Sequence, residues 1–328
     1  MPWWLLLAVA HADPLTFEAV RVVEHGKDVP RLVLHVGEPG TVQAVADCAG
    51  RSFRVRESAR AGSDVTLRFD GLAPGVHDCR IDISFVQADG ADGGTSLSLQ
   101  VVSLPAPKLS ATFEEVAAKA GEAVVHADRS IEEATATLIG ARGVQLGQVR
   151  ADLSDDLAPR FTWEPGLGEV VKILVEARDG HGLWAQLELL PWSYAIPHVD
   201  VVFDTGSDVV LAAEVPKLEA AWAEVVQVEQ TYGSVVEMQL FVAGYTDTVG
   251  DGASNQALSE RRARSIARWF RERGFARPVW YQGFGEDALA VSTPDGTDEA
   301  RNRRALYVLC AQPPPTSGEL PRKAWKRL

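Results

Sequence analysis

The stretch from Gly244 to Arg264, G-Y-T-D-T-V-G-D-G-A-S-N-Q-A-L-S-E-R-R-A-R, sets an acid and a base where they can act on one ligand. Asp247 lies in a glycine-rich loop that follows an apolar run ending at Ala243. Arg262 lies in the second turn of a helix expected to begin near Asn255. Loop and helix start then share one sheet edge, so the two side chains face the same small volume. An ammonium can pair with Asp247 while the planar fork of Arg262 matches the two oxygens of a carboxylate. Backbone N–H groups at the helix start would add donors for the anion. Such a pair is suited to a zwitterion.

The elements that must position this pair follow from hydrophobic spacing. After Pro197 the pattern reads strand, helix, strand, helix, strand, strand. Asp200 to Phe203 is expected as a short strand. Pro216 suits a first helical turn, and Leu218, Ala221, Trp222, Val225 and Val226 then recur at helical spacing. Val236, Met238, Leu240 and Val242 alternate as a strand. Leu258, Ala263, Ile266, Ala267 and Phe270 mark a second amphipathic helix, closed by Gly274. Val279 to Gln282 and Ala305 to Leu309 supply the remaining strands. Two helices cover only one face of such a sheet, which gives an α+β two-layer sandwich of order βαβαββ.

On these elements sits an ordered set of short motifs: Phe203-Asp204 with Ser207, Gly244-Tyr245-Thr246-Asp247 with Gly250, Asn255 with Leu258-Ser259 and Arg262-Ala263, Gly283-Phe284-Gly285-Glu286, and Asn302-Arg303-Arg304. The set resembles the OmpA-like peptidoglycan-binding domain shared by outer-membrane protein A, the peptidoglycan-associated lipoprotein and flagellar stator proteins. The resemblance implies non-covalent binding of peptidoglycan peptide stems, typically at meso-diaminopimelate, whose side chain ends in a free ammonium and carboxylate. The family's two principal ligand contacts fall on Asp247 and Arg262, and Thr246, Gly250, Asn255 and Leu258 match positions that shape its loop and pocket. The sequence departs from the family at Tyr245, where His is usual. Asn255 also has a plain reading as a helix cap, and Arg303 and Arg304 read as neutralising Asp298 and Glu299.

Upstream, the chain is strand-rich. From Thr16 to Leu104 short runs of Val, Leu, Phe and Thr are punctuated by turns such as Glu38-Pro39-Gly40 and Ala73-Pro74-Gly75, and Leu32, Leu34 and Val36 alternate with period two. Residues 13–104 are expected to form an immunoglobulin-like β-sandwich, and residues 105–196 a second all-β sandwich after the stiff Pro105-Ala106-Pro107 break. An eight-stranded outer-membrane barrel over residues 13–195 is the rival; short strands and sparse aromatics weigh against it. Cys48 and Cys79 fall on runs that would face one another in a sandwich and are expected to form a disulfide, two buried thiols being the alternative. Cys310 alternates with Leu306 and Val308 and reads as a core residue.

The opening block MPWWLLLAVAHA reads as a signal peptide, residues 1–12, with Ala10-His11-Ala12 as the cleavage site. Export places the chain in the periplasm, at the cell wall or outer membrane, and permits the disulfide. No later stretch is apolar enough for a transmembrane helix. The 328 residues carry a net charge of −13, which opposes a general affinity for nucleic acid. Arg261, Arg264, Arg268, Arg271 and Arg273 read as a solvated helix face with cations toward its C-terminus. H-E-x-x-H, G-x-S-x-G and a Cys-His pair with a plausible partner are all absent, so a wall hydrolase is the weakest reading and neither a metal nor a cofactor is expected. The leading expectation is tethering to peptidoglycan; the alternative is a wall-anchored subunit of a larger envelope machine, with the β-domains contacting another envelope protein. Residues 313–328, proline-rich and then basic, are expected to be disordered.

Overall fold

The computed structural model describes residues 13–328; the proposed signal peptide lies outside the described residues. The chain divides into two compact units, residues 13–108 with 127–132 and 177–185, and the remainder. It is mostly β-structure, with two α-helices among the described residues.

Alternating apolar residues build the first unit. Strands β1 (Leu15–Val20), β3 (Arg31–Val36) and β6 (Ser63–Arg68) form one sheet of order β1-β3-β6. Strands β2 (Val22–Glu24), β4 (Gly40–Cys48), β5 (Arg51–Ala59), β7 (Gly75–Gln87) and β8 (Asp92–Leu104) form a second, of order β2-β8-β7-β4-β5. Leu32, Leu34, Val36, Val65 and Leu67 of the first sheet share a core with Val42, Ala44, Ala46, Ile81, Ile83 and Phe85 of the second. Period-two alternation thus puts one face of each sheet inside and leaves the other in water.

Cys48 and Cys79 are disulfide-bonded, as expected. They are directly opposite one another on β4 and β7, neighbouring antiparallel strands of one sheet. Pairing register cannot be seen in either strand alone, so which strands bring the two residues together is decided only on folding.

The following strands are β9 (Leu109–Ser110), β10 (Val116–Ala117), β11 (Glu122–Val124), β12 (His126–Ala127), β13 (Ile131–Ile139), β14 (Gln145–Arg150), β15 (Arg160–Thr162), β16 (Lys172–Asp179) and β17 (Trp184–Leu189). The largest sheet here has order β14-β13-β16-β17. Its centre alternates in burial, with Ala134, Ala136 and Leu138 of β13 and Ile173, Val175 and Ala177 of β16 withdrawn from water.

The C-terminal sheet contains β18 (Ser193–Ala195), β19 (Gln239–Tyr245), β20 (Val279–Gly285), β21 (Ala305–Cys310) and β22 (Lys326–Arg327), in the order β18-β21-β19-β20-β22. β19 and β20 are parallel and are joined by α2 (Gly252–Arg273), while β21 runs antiparallel to β19. α1 (Val215–Tyr232) buries Leu218, Ala221, Val225 and Val228, and α2 buries Ala263, Ile266, Ala267 and Phe270. Both stripes pack into one core with Leu240, Val242, Val279 and Leu309 of the sheet. Gly274 ends α2 with φ +124°, where its N–H bonds back to Phe270 and Arg271.

Two expectations fail here. Residues 200–203 form no strand, and the edge strand next to β21 is Ser193–Ala195, so the C-terminal sheet begins before residue 197. Side chains replace strand partners along 200–202: the Val202 N–H donates to Glu214, the Asp200 carbonyl accepts from Lys217 Nζ, and the Ala305 N–H donates to the Asp200 carboxylate. Nor is the C-terminal tail disordered. β22 pairs with β20, and Leu320 and Trp325 cover the sheet face that the helices leave open, packing on Tyr245, Phe284 and Phe241. Composition describes the tail by itself; an otherwise bare aromatic sheet face gives it something to bury.

Candidate functional site

The site is built where β19 ends and α2 begins. Asp251 is the helix cap, accepting from the Ser254 N–H at 3.0 Å, and α2 starts at Gly252. Asn255 is therefore not the cap, and Arg262 falls in the third turn. The Asn255 side chain instead braces the loop, because its Nδ2 donates to the Asp247 and Val249 carbonyls at 3.3 and 3.2 Å and to Glu286 at 2.7 Å. One buried amide thus ties the loop to the helix and to the end of β20. Gly250 has φ +99°, a region that disfavours side chains, and lets the loop turn into the cap.

Close packing of α2 on the sheet depends on glycine. A Cβ at Gly283 would stand 2.3 Å from the Glu260 nitrogen and 2.7 Å from its Cα. Ser259 uses this proximity, since its Oγ accepts from the Gly285 N–H at 2.9 Å. Gly283→Ala should push the helix off the strand and lower stability by about 2 to 3 kcal/mol, read from the denaturant midpoint. An unchanged midpoint would show that the helix yields without penalty.

Asp247 is 7% exposed and Arg262 9%. One Asp247 oxygen accepts from the Val249 N–H at 3.3 Å, and the other accepts from Arg303 Nη1. Arg303 also pairs with Asp298, and these two carboxylates, Asp298 first, hold its proton more tightly than usual. Arg262 Nε donates to the Ser207 carbonyl at 2.9 Å and Nη2 to the Asp204 carbonyl at 3.2 Å, with the guanidinium 5.1 Å from the Phe203 ring centre. Among the described residues no carboxylate lies within ion-pair distance of it. Burial lowers its pKa first and the Arg303 charge adds to this, against the opposing field of Asp247. Arg262 therefore lies within the field of Asp247. A cavity of about 100 Å³ opens beside Arg262, lined also by Phe203, Tyr245, Arg303 and Ile266.

Of the other expected residues, Thr246 is buried, with its N–H on the Gly285 carbonyl at 2.9 Å and no partner for its hydroxyl. Leu258 is half-buried on α2. Arg303 does more than neutralise, because it reaches Asp247 as well as Asp298, while Arg301 is the partner of Glu299. Arg304 lies 4.2 Å from the centre of the Tyr245 ring. Tyr245, standing where the family usually has His, is buried and donates its hydroxyl to the Glu319 carbonyl of the tail. The Ser207 and Asp204 carbonyls were not expected at the site. Only the Phe203-Asp204…Ser207 motif hinted that this segment mattered. Among the described residues no group of three or more His, Cys, Asp or Glu side chains could hold a metal ion.

The family model for the OmpA family matches residues 202–303. The outer-membrane lipoprotein YfiB of Pseudomonas aeruginosa is 37% identical over 70 residues, 21% of this chain and 42% of that protein. Outer membrane protein A of Escherichia fergusonii is 32% identical over 108 residues, 33% of this chain and 42% of that protein. The chain thus spans less than half the length of these curated relatives. Among solved structures, the peptidoglycan-associated lipoprotein from Burkholderia pseudomallei is 24% identical over 34% of this chain and 87% of that one, with a TM-score of 0.27. No helix among the described residues is long and apolar enough to cross a membrane. The motifs from Phe203 to Arg303, the elements that carry them and the family match coincide on one stretch: the C-terminal third of this chain is an OmpA-family domain.

Proposed function

We propose that this domain binds the peptide stem of bacterial peptidoglycan at meso-diaminopimelate, with Asp247 receiving the ammonium and Arg262 the carboxylate. The observation that carries the reading is the state of Arg262: a nearly buried guanidinium, held in place by two carbonyls and an aromatic ring, with no carboxylate partner among the described residues. A charge so placed is satisfied by an anion from outside. Asp247 keeps acceptor capacity beside its Arg303 contact, since one of its oxygens receives only a backbone N–H. Thr246, Gly250, Asn255 and Leu258 shape the pocket.

Each charge-assisted bond contributes about 1.5 to 3 kcal/mol, and ordering a tethered stem offsets part of that. A single site is therefore weak, and retention comes from the density of stems in the wall. In this reading the chain acts in the periplasm as a tether without turnover, and the β-rich residues before the domain are immunoglobulin-like spacers or contacts for another envelope protein. The full chain should sediment with purified sacculi. Free meso-diaminopimelate should release it, and 1,5-diaminopentane, which has no carboxylate, should not. Release by the diamine at the same concentration would reduce the interaction to general charge attraction.

A further inference from the structure

His198 is nearly buried and takes no part in the site described above, yet it lies on the segment that supports Arg262. Its Nδ1 is 2.7 Å from the Ile196 carbonyl and its Nε2 is 3.1 Å from the Ala305 carbonyl. Carbonyl oxygens only accept, so both ring nitrogens must donate, and a ring that donates twice is an imidazolium. Its counter-charge is Asp200, with Oδ1 3.7 Å from Nε2. The same carboxylate oxygen accepts from the Ala305 N–H at 2.9 Å. His198 and Asp200 together therefore engage both backbone groups of Ala305, the residue that follows Arg303 and Arg304.

This matters because residues 198–204 have no ladder of their own. The segment continues into Phe203, Asp204 and Ser207, whose ring and carbonyls fix the Arg262 guanidinium. We propose that His198, as an imidazolium, is a positioning residue for Arg262: it clasps this segment to the start of β21 and so makes ligand binding sensitive to alkaline pH. The proposal rests on the wall-binding reading above.

The groups facing the ring are few. Tyr307 of β21 stacks on it at 3.9 Å between ring centres, and burial keeps that phenol neutral. Lys217 of α1 holds the Asp200 carbonyl, and Arg304 acts on the Asp200 carboxylate. Burial of the ring opposes protonation, but Asp200 and the two carbonyls outweigh it, and the His198 pKa rises above its ordinary 6.5. A raised pKa means that the clasp is complete below the unfolded value and is lost as pH climbs through the folded one. The neutral ring has a single N–H and must leave one carbonyl without its donor. Asp200 sets the opposite limit: its pKa is lowered, so its share is present above 3.8 and fails as pH falls through the lowered value.

The test compares sacculus binding by full-length wild type and His198→Gln from roughly neutral to moderately alkaline pH at constant ionic strength. The ligand titrates alike for both, so the ratio of affinities isolates the clasp. Wild type should weaken relative to the variant by about threefold to tenfold, the loss of one hydrogen bond. Superimposable profiles would overturn the proposal. Should the variant not fold, the nitrogen shifts of the wild-type imidazole decide. A ring already neutral near pH 7 overturns the clasp; a doubly protonated ring whose titration moves the Arg262 Nε resonance supports it. If wild type sediments at no pH, the wall-binding reading falls, and with it the proposed effect of the clasp on ligand binding. If it sediments without a pH-dependent ratio, only the clasp does.

Discussion

With Asp247→Ala and Arg262→Ala combined, the folded chain is expected to bind sacculi at least about a hundredfold more weakly, since two charge-assisted contacts of about 1.5 to 3 kcal/mol each are lost. The two positions are not equivalent. Removing Asp247 leaves Arg303 with Asp298, an exposed carboxylate, as its remaining ion-pair partner, so part of the loss comes through a freed neighbouring cation. Removing Arg262 takes away the group whose Nε and Nη2 are already committed to the Ser207 and Asp204 carbonyls and whose remaining donors are directed by that commitment. Arg262→Lys separates charge from geometry. Lysine keeps the positive charge but has no planar fork, and it cannot hold two carbonyls while presenting a paired edge to a carboxylate. Its affinity should fall about tenfold or more in a sedimentation isotherm. A lysine chain that binds as wild type would show that Arg262 acts as a point charge. A double-alanine chain that still pellets, with an unchanged circular dichroism spectrum, would place the wall contact elsewhere.

The second large effect concerns the first unit. Replacing both Cys48 and Cys79 by Ala is expected to lower its stability by about 3 to 4 kcal/mol. The bond closes a loop with a sequence separation of 31, which restricts the unfolded chain. Both half-cystines also lie in the core with Phe53, Ile81 and Val101, so the double variant leaves a void as well as a longer unfolded chain. The measurement is a denaturant titration that follows the first unit, with reduced wild type as the second sample. Reduced wild type keeps the sulfur atoms, so its shortfall isolates the cross-link, and the further drop in the alanine variant isolates the void. Equal midpoints for oxidised and reduced protein would mean that the bond does not stabilise the unit. Asp247, Arg262 and the elements that hold them lie elsewhere in the chain, so sacculus binding should survive reduction.

Much of the C-terminal domain was legible from spacing. The stripe Ala263, Ile266, Ala267, Phe270 and the closing Gly274 marked α2, and the alternation of Leu240 and Val242 marked β19, because core-facing positions repeat with the period of the element that carries them. The places of Asp247 in the loop after β19 and of Arg262 on α2 were legible too, because both follow from the flanking elements. What depends on a single stretch of chain, period, cap chemistry and residue type, is written locally. Even so, residue type alone suits Asn255 to the cap as well as Asp251, and only the backbone decides for Asp251.

Partners distant in sequence were decided by the tertiary structure alone. That Arg303 reaches across 56 residues to Asp247 depends on how β21 lies beside β19. That Arg262 is aimed by the Asp204 and Ser207 carbonyls depends on a segment expected to begin as a strand over 200–203, which instead bonds to Glu214, Lys217 and Ala305. The tail looked polar and unstructured by composition, yet it folds because the sheet has a second apolar face, and Tyr245 fastens to it where an imidazole was expected. Sequence by itself determined which residues are candidates for the chemistry and most of the elements that carry them. Register, cross-strand partners and the covering of the second face emerged only on folding, because each of those energies belongs to a pair of surfaces and not to either segment alone.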